Sequence, residues 1–332
     1  MSQKKNMEAL TQLIREQFDL SSQVALDFVP ILKGGSGRTF YRVSLPEGKG
    51  NWIVMHYTDE RIENSYYVAI GQFLEKWGLP VPHIRFHDKE QQVIGMEDLG
   101  AVDLCSLTGL PWEQRSRFYQ KVLRAIKKLH DIGWNQVQDA QLTLMPGFDA
   151  SLYEWERNYF FENFLSNFCG LTLNEKNKEE LKKELENLAQ GLLEEKIALV
   201  HRDFQSQNVI VQNNEIFLID FQGMRSGTFF YDLGSLLYDP YVSFTEGQRL
   251  ELLRYYFNLD SQISWEIFQK RFYEASVQRL LQALGAYGFL GKVKGKTEFL
   301  TYIPAALQNL KDAASRCKTV GALETVVGSL RF

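Results

Sequence analysis

The chain has 332 residues, enough for two domains or one large two-lobed one, and its 45% apolar content can fill a sizeable core. A net charge of −4 argues against a broad nucleic-acid or membrane-surface role. Cys105, Cys169 and Cys317 are far apart and form no CxxC pair, the start MSQKKNMEAL has no apolar signal-peptide stretch, and no apolar run approaches bilayer length, so a reduced, cytoplasmic setting is expected.

Met7, Leu10, Leu13, Ile14 and Phe18 recur at helical spacing, which predicts an amphipathic helix over 6–18. Val24 to Leu32 is strand-like. It runs into Lys33-Gly34-Gly35-Ser36-Gly37-Arg38 and then into a second strand, Thr39 to Leu45. Such a turn can be an ordinary hairpin loop, or a place where backbone N–H groups approach an anion closely. Trp52 to Tyr57 reads as a third strand. Asn64 to Trp77 reads as a helix stopped by Gly78-Leu79-Pro80-Val81-Pro82. His83 to His87 and Gln92 to Met96 complete a small sheet, and Glu97-Asp98-Leu99-Gly100 is the expected hinge.

Beyond residue 100 helices dominate: Trp112 to His130, an aromatic-rich run from Phe148 to Phe168, and a charged run from Asn174 to Lys196. The apolar runs Ala198 to Val200, Val209 to Val211 and Ile216 to Ile219 look like brief buried strands, the last two joined as a hairpin by Asn213-Asn214. Phe221 to Gly227 reads as a loop, and Tyr231 begins a further helix. Asp232, near that helix start, is placed to accept backbone N–H groups. Glu246 to Phe257, Ser264 to Leu290, Thr297 to Cys317 and Gly321 to Leu330 are helical. An α+β chain is expected, with a β-rich lobe over residues 1–100 and a helical lobe over 101–332.

The chemistry concentrates between Leu199 and Asp220. His201-x-Asp203 is followed by Asn208, and twelve residues later by Asp220 at the end of a strand. Carboxylates at the ends of buried strands are costly unless something positive binds them. This spacing is a phosphoryl-transfer layout, in which Asp203 is the base near an acceptor hydroxyl. Asn208 and Asp220 then hold Mg²⁺ on the nucleotide phosphates, a hard cation that prefers oxygen ligands. In that layout the 1–100 lobe binds the nucleotide and the 101–332 lobe carries the catalytic loop and substrate site. Gly34, Gly35, Ser36 and Gly37 become a phosphate loop, with Arg38 and Arg42 as candidate phosphate contacts. Backbone groups of Glu97 and Leu99 become the adenine contacts. Glu63 can face the metal–phosphate region. The third strand of a protein kinase carries a phosphate-pairing lysine, whereas Met55 and His56 stand there in this chain.

HRDFQSQN (His201 to Asn208), LIDFQ (Leu218 to Gln222) and YDLGSLLYDPY (Tyr231 to Tyr241) resemble the aminoglycoside phosphotransferase and choline kinase superfamily over almost the whole chain. The resemblance implies a two-lobed protein-kinase-like fold, ATP and Mg²⁺ as cofactors, and a small-molecule acceptor rather than a nucleic acid or a membrane. Within the superfamily the chain is most similar to bacterial kinases that act on the anomeric hydroxyl of N-acetylmuramate and N-acetylglucosamine. SGRTFYRV (Ser36 to Val43), the strand lacking lysine, GLPVP and VQRLLQALGAY (Val277 to Tyr287) carry that likeness. It implies that Asp203 is the catalytic base, that Asn208 and Asp220 are the Mg²⁺ ligands, and that Asp232 braces the catalytic loop. Arg279 lies in a matching segment without an assigned role. Three readings stay open on the residues: an amino-sugar kinase, a kinase of another small hydroxylated molecule such as an aminoglycoside, choline or a different sugar, and a catalytically silent nucleotide-binding protein. A cationic substrate would need acidic side chains such as Glu154, Glu156 and Glu162, and Glu156 and Arg157 are possible substrate contacts.

Overall fold

A computed structural model describes residues 2–31, 37–46 and 48–331, with side chains from Met7 onward. Gly34, Gly35 and Ser36 lie outside the described residues. The chain divides into two compact units, Met1–Gly100 and Ala101–Phe332.

Unit 1 opens with helix α1 (Ser2–Gln17). Its apolar stripe, Leu10, Leu13 and Ile14, continues to Phe18 and packs on Val43, Leu45, Val54, Phe86 and Val93. Those last residues come from an antiparallel sheet of β1 (Phe28–Ile31), β2 (Thr39–Ser44), β3 (Asn51–His56), β4 (Ile84–Asp88) and β5 (Val93–Glu97), in the order β1-β2-β3-β5-β4. Strand β1 is shorter than the Val24 to Leu32 run expected. Pro30 sits in it opposite Tyr41, and a residue with no N–H to donate is tolerated on an edge strand. A tight turn at Ile62–Tyr66 leads into α2 (Tyr67–Lys76), and Gly78 at φ +65° ends it.

In unit 2, α3 (Trp112–His130) and α4 (Trp134–Asp139) precede α5 (Ala150–Tyr159), which widens into a π turn over Phe160–Ser166 rather than continuing as the regular helix expected. Next come α6 (Glu175–Leu193), β6 (Ala198–Val200), the hairpin of β7 (Val209–Gln212) and β8 (Glu215–Leu218), and β9 (Arg225–Gly227). Helices α7 (Phe230–Leu237), α8 (Glu246–Asp260), α9 (Trp265–Gly288), α10 (Ile303–Ser315) and α11 (Gly321–Ser329) complete it. Side-chain oxygens cap four of the helices at their first turn: Asp149, Asn174, Thr245 and Ser264. Strand β9 corrects the loop expected over Phe221 to Gly227. It pairs with β6, so Val200 lies opposite Arg225.

Helix α9 is the centre of unit 2, buried on every side from Phe272 to Gly285. Its neighbours approach through glycines. A Cβ on Gly234 of α7 would lie 2.9 Å from the Ser276 Cα, and one on Gly288 would lie 2.3 Å from the Asn163 carbonyl oxygen. Gly288→Ala is therefore expected to destabilise the fold by roughly 1–3 kcal/mol, since backbone cannot yield as a side-chain tip does. Thermal unfolding checks this, and an unchanged Tm would show that the seam opens freely. Cys105, Cys169 and Cys317 are free thiols, and no helix among the described residues is long and apolar enough to cross a membrane.

Candidate active site

The chain leaves β6, whose three residues are all buried, directly into His201-Arg202-Asp203. Two buried carboxylates pin this loop. Asp232, in the first turn of α7, accepts the His201 N–H at 2.7 Å through Oδ2 and the Arg202 N–H at 2.8 Å through Oδ1. His130 Nε2 lies 3.1 Å from the same Oδ2. Asp232 thus serves the loop and not its own helix end. Asp239, just past α7, accepts the Ser206 N–H at 2.7 Å, the Ser206 hydroxyl and the Tyr241 N–H. The far end of the loop turns at Ser206–Asn208 into β7, and Asn213 and Asn214, with φ of 51° and 64°, close the β7–β8 hairpin as expected.

The hairpin sets Asp220 against the loop. His201 Nε2 lies 3.0 Å from the Ile219 carbonyl, and the Ile219 N–H donates to the Asn208 carbonyl at 3.0 Å. Asn208 Nδ2 donates to the Asp203 carbonyl at 2.8 Å, which turns the amide oxygen the other way. Asp220 takes a left-handed backbone, φ 63°, and its Oδ1 accepts from Gln222 Nε2 at 3.0 Å. Asp203, Asn208 and Asp220 are therefore gathered by the loop and the hairpin. The Asn208 amide oxygen and the Asp220 carboxylate are both hard oxygen donors of the kind that could hold Mg²⁺.

Cations surround Asp203. Arg202 Nη1 meets Oδ2 at 2.7 Å, and Arg279 Nη2 stands 3.9 Å from Oδ1. Burial alone would push the Asp203 carboxyl up. Arg202 first, then Arg279, His201 and Arg225, pull it below its ordinary value. Arg279 is fixed on α9 by the Ser235 hydroxyl, 3.1 Å from Nε, and by Gln282. Glu156 is buried on α5. One of its oxygens accepts from Tyr231 at 2.9 Å and the other from Gln278 at 2.9 Å, and burial raises its pKa. Arg157 is also buried, while Glu154 and Glu162 are exposed.

Unit 1 holds the other expected residues. Gly37 has φ +71°, and the Arg38 guanidinium lies 5.6 Å from the Phe40 ring centroid. Arg42 donates to Asp98 in a two-pronged pair of 2.6 and 3.0 Å, and that hydrogen bond raises its pKa. Met55 is fully buried in β3, and burial lowers the pKa of its neighbour His56. Glu63 lies 3.8 Å from Arg61. Glu97 accepts the His83 N–H at 3.3 Å, and Leu99 is buried.

Sequence reasoning passed over Arg202, Arg225 and Asp239 as functional candidates. Arg202 sits inside the motif and has φ 75°, a backbone that favours glycine. Asp239 lies in the quoted YDLGSLLYDPY stretch, and Arg225 had no local signal because its place depends on pairing with β6.

Residues 27–266 match the family described as the phosphotransferase enzyme family. An N-acetylmuramate/N-acetylglucosamine kinase of Neisseria meningitidis serogroup B is 24% identical over 300 residues, covering 88% of this chain and 87% of that protein. A choline/ethanolamine kinase family protein from Mesorhizobium loti has the same fold, with a TM-score of 0.62 at 16% identity over 95% of this chain and 99% of that one. The ternary complex of APH(2")-IIa with streptomycin and ATP matches with a TM-score of 0.59 at 16% identity, over 85% of this chain and 89% of that one. Together with the α+β, protein-kinase-like fold and the loop that carries Asp203, the match over well over half of the length shows that the chain belongs to the phosphotransferase enzyme family and is a small-molecule kinase.

Proposed function

We propose that the chain transfers the γ-phosphoryl group of ATP to the anomeric hydroxyl of an N-acetyl amino sugar, N-acetylmuramate or N-acetylglucosamine. The charge around Asp203 carries this reading. Choline and aminoglycosides are cations, and a site selecting them needs free carboxylates near the reacting hydroxyl. Here Glu156 is buried with both oxygens engaged, Glu154 and Glu162 are exposed, and Arg202 and Arg279 flank Asp203. A neutral or anionic acceptor fits better. The name of the Neisseria relative supports the sugar class, and ATP in the solved APH(2")-IIa complex supports the nucleotide.

In this reading Asp203 accepts a hydrogen bond from the acceptor hydroxyl, aims its oxygen at phosphorus, and takes the proton as ADP leaves. Its depressed pKa makes it a weak base, so orientation is the larger part of its work. Asn208 and Asp220 would hold Mg²⁺, which neutralises phosphate charge. Gly34 to Gly37 would approach the phosphates through their N–H groups. Arg38 or Arg42, the latter paired with Asp98, would offer the charge that Met55 does not supply. Backbone groups at Glu97 and Leu99 would take adenine. Three free thiols and ATP dependence fit a cytoplasmic enzyme.

The test is ³¹P and ¹³C NMR of the product formed from N-acetylglucosamine and Mg·ATP. Phosphate on the anomeric carbon supports the reading, and phosphate on another hydroxyl or none overturns it. Asp220→Ala is expected to abolish Mg²⁺-dependent nucleotide binding in calorimetry, and unchanged binding would refute the metal role.

A further inference from the structure

We propose that Arg202, Arg225 and Arg279 form an anion-reading wall beside Asp203 that favours an acceptor bearing a carboxylate over its neutral counterpart. The proposal rests on the amino-sugar reading. Three separate elements bring these guanidiniums together: the loop after β6, strand β9 and the middle of α9. Arg225 is placed by the β6–β9 ladder, one step from His201. Its Nε donates to the Gly223 carbonyl at 3.3 Å, and among the described residues no carboxylate lies within 4.0 Å of it.

The charges do not balance within the protein. Three guanidiniums, which stay charged in any protein environment, face Asp203 and at most Glu156. Arg225 and Arg279 are 7% and 5% exposed, and burying like charges together is unfavourable unless an anion joins them. Burial and then Arg202 lower the pKa of Arg225, whose guanidinium lies 5.5 Å from the Phe148 ring centroid and has no carboxylate partner among the described residues. The Arg202 backbone adds a second cost. At φ 75° a residue with a Cβ is strained where glycine would not be. Strain of this kind persists where the side chain has work to do.

The two sugars named for the relative differ in one group: N-acetylmuramate carries a lactyl ether ending in a carboxylate. Guanidinium forks suit carboxylate oxygens, and they repel the amines of aminoglycosides and choline. Phosphoryl oxygens in flight share the same chemistry, but arginines serving them would assist every acceptor equally.

The experiment compares kcat/KM of the full chain with Mg·ATP on N-acetylmuramate, its methyl ester and N-acetylglucosamine, in the wild type, Arg225→Met and Arg225→Lys. The wild type is expected to prefer N-acetylmuramate over its ester by about tenfold or more, the scale of a charge-assisted hydrogen bond. Arg225→Met should bring that ratio toward one, mainly through KM, and Arg225→Lys should restore part of it. A wild-type ratio near one overturns the proposal, and so does an equal fall in kcat on all three acceptors, which assigns the arginines to the phosphoryl group. Turnover of none of the three overturns the amino-sugar reading and the proposal with it. The ester comparison decides the matter even where Arg225→Met does not fold.

Discussion

Asp203→Asn is expected to lower kcat by about 10²–10⁴, the usual contribution of a positioned acid–base group, while the fold persists. The amide keeps the shape of the side chain and leaves intact the Asp203 carbonyl that accepts from Asn208 and the loop N–H bonds to Asp232. It loses the negative charge that would draw the acceptor hydroxyl in the proposed reaction and that Arg202 pairs with at 2.7 Å. Removing that anion from between Arg202 and Arg279 should lower the Tm, but Arg202 and Asp203 are each about a quarter exposed, so solvent limits the cost and the fold should persist. Steady-state ADP release on the best acceptor is the measurement, and near-normal kcat would sink the assignment. The pH profile is a second check. The carboxyl titrates below its ordinary value, so its ionised form persists as pH falls, and the acid limb of kcat should lie below the ordinary aspartate range. The same sign holds for stability. The contribution of Asp203 is present above the unfolded carboxyl pKa and is lost as pH falls through the lower, folded one.

Asp232→Ala should affect the fold most. The side chain is fully buried and accepts two backbone N–H groups at 2.7 and 2.8 Å, with His130 beside it. Removing it leaves those donors without their acceptor in a site closed to water, at a cost of roughly 3–5 kcal/mol. For a chain of this size that is about 4–7 °C in Tm. Asp232→Asn, which keeps an acceptor oxygen, should lose less stability but more activity than its Tm suggests, because one of the two loop bonds must weaken. Calorimetry on both variants tests this. A loss under about 1 kcal/mol for Asp232→Ala would mean that β6 and Asp239 hold the loop unaided.

The parts of the molecule legible in the sequence are those set by local chemistry. Asn213-Asn214 predicts the hairpin because both residues tolerate a left-handed backbone. Gly78 marks the end of α2 for the same reason. The run from His201 to Asp220 places the loop beside the strand end, because loop and hairpin are contiguous and the Ile219 N–H donates to the Asn208 carbonyl. What was not legible depends on partners distant in sequence. Strand β9 has three residues and exists through its pairing with β6, so Arg225 read as part of a loop. The pairing of Arg42 with Asp98, 56 residues on, had no local signal either. Glu156 looked available to a substrate, but Tyr231 and Gln278 from two other helices engage it. The π turn after α5 has no composition signal, and it accompanies the close approach of Gly288 to the Asn163 carbonyl.

The most direct test of the account is ADP release from Mg·ATP across N-acetylmuramate, N-acetylglucosamine, other hexoses, choline and an aminoglycoside, with Asp203→Asn as control. Turnover on the N-acetyl sugars that the control loses is the predicted result. Turnover confined to choline or the aminoglycoside would contradict it, because cationic acceptors would then be entering a site ringed by arginines.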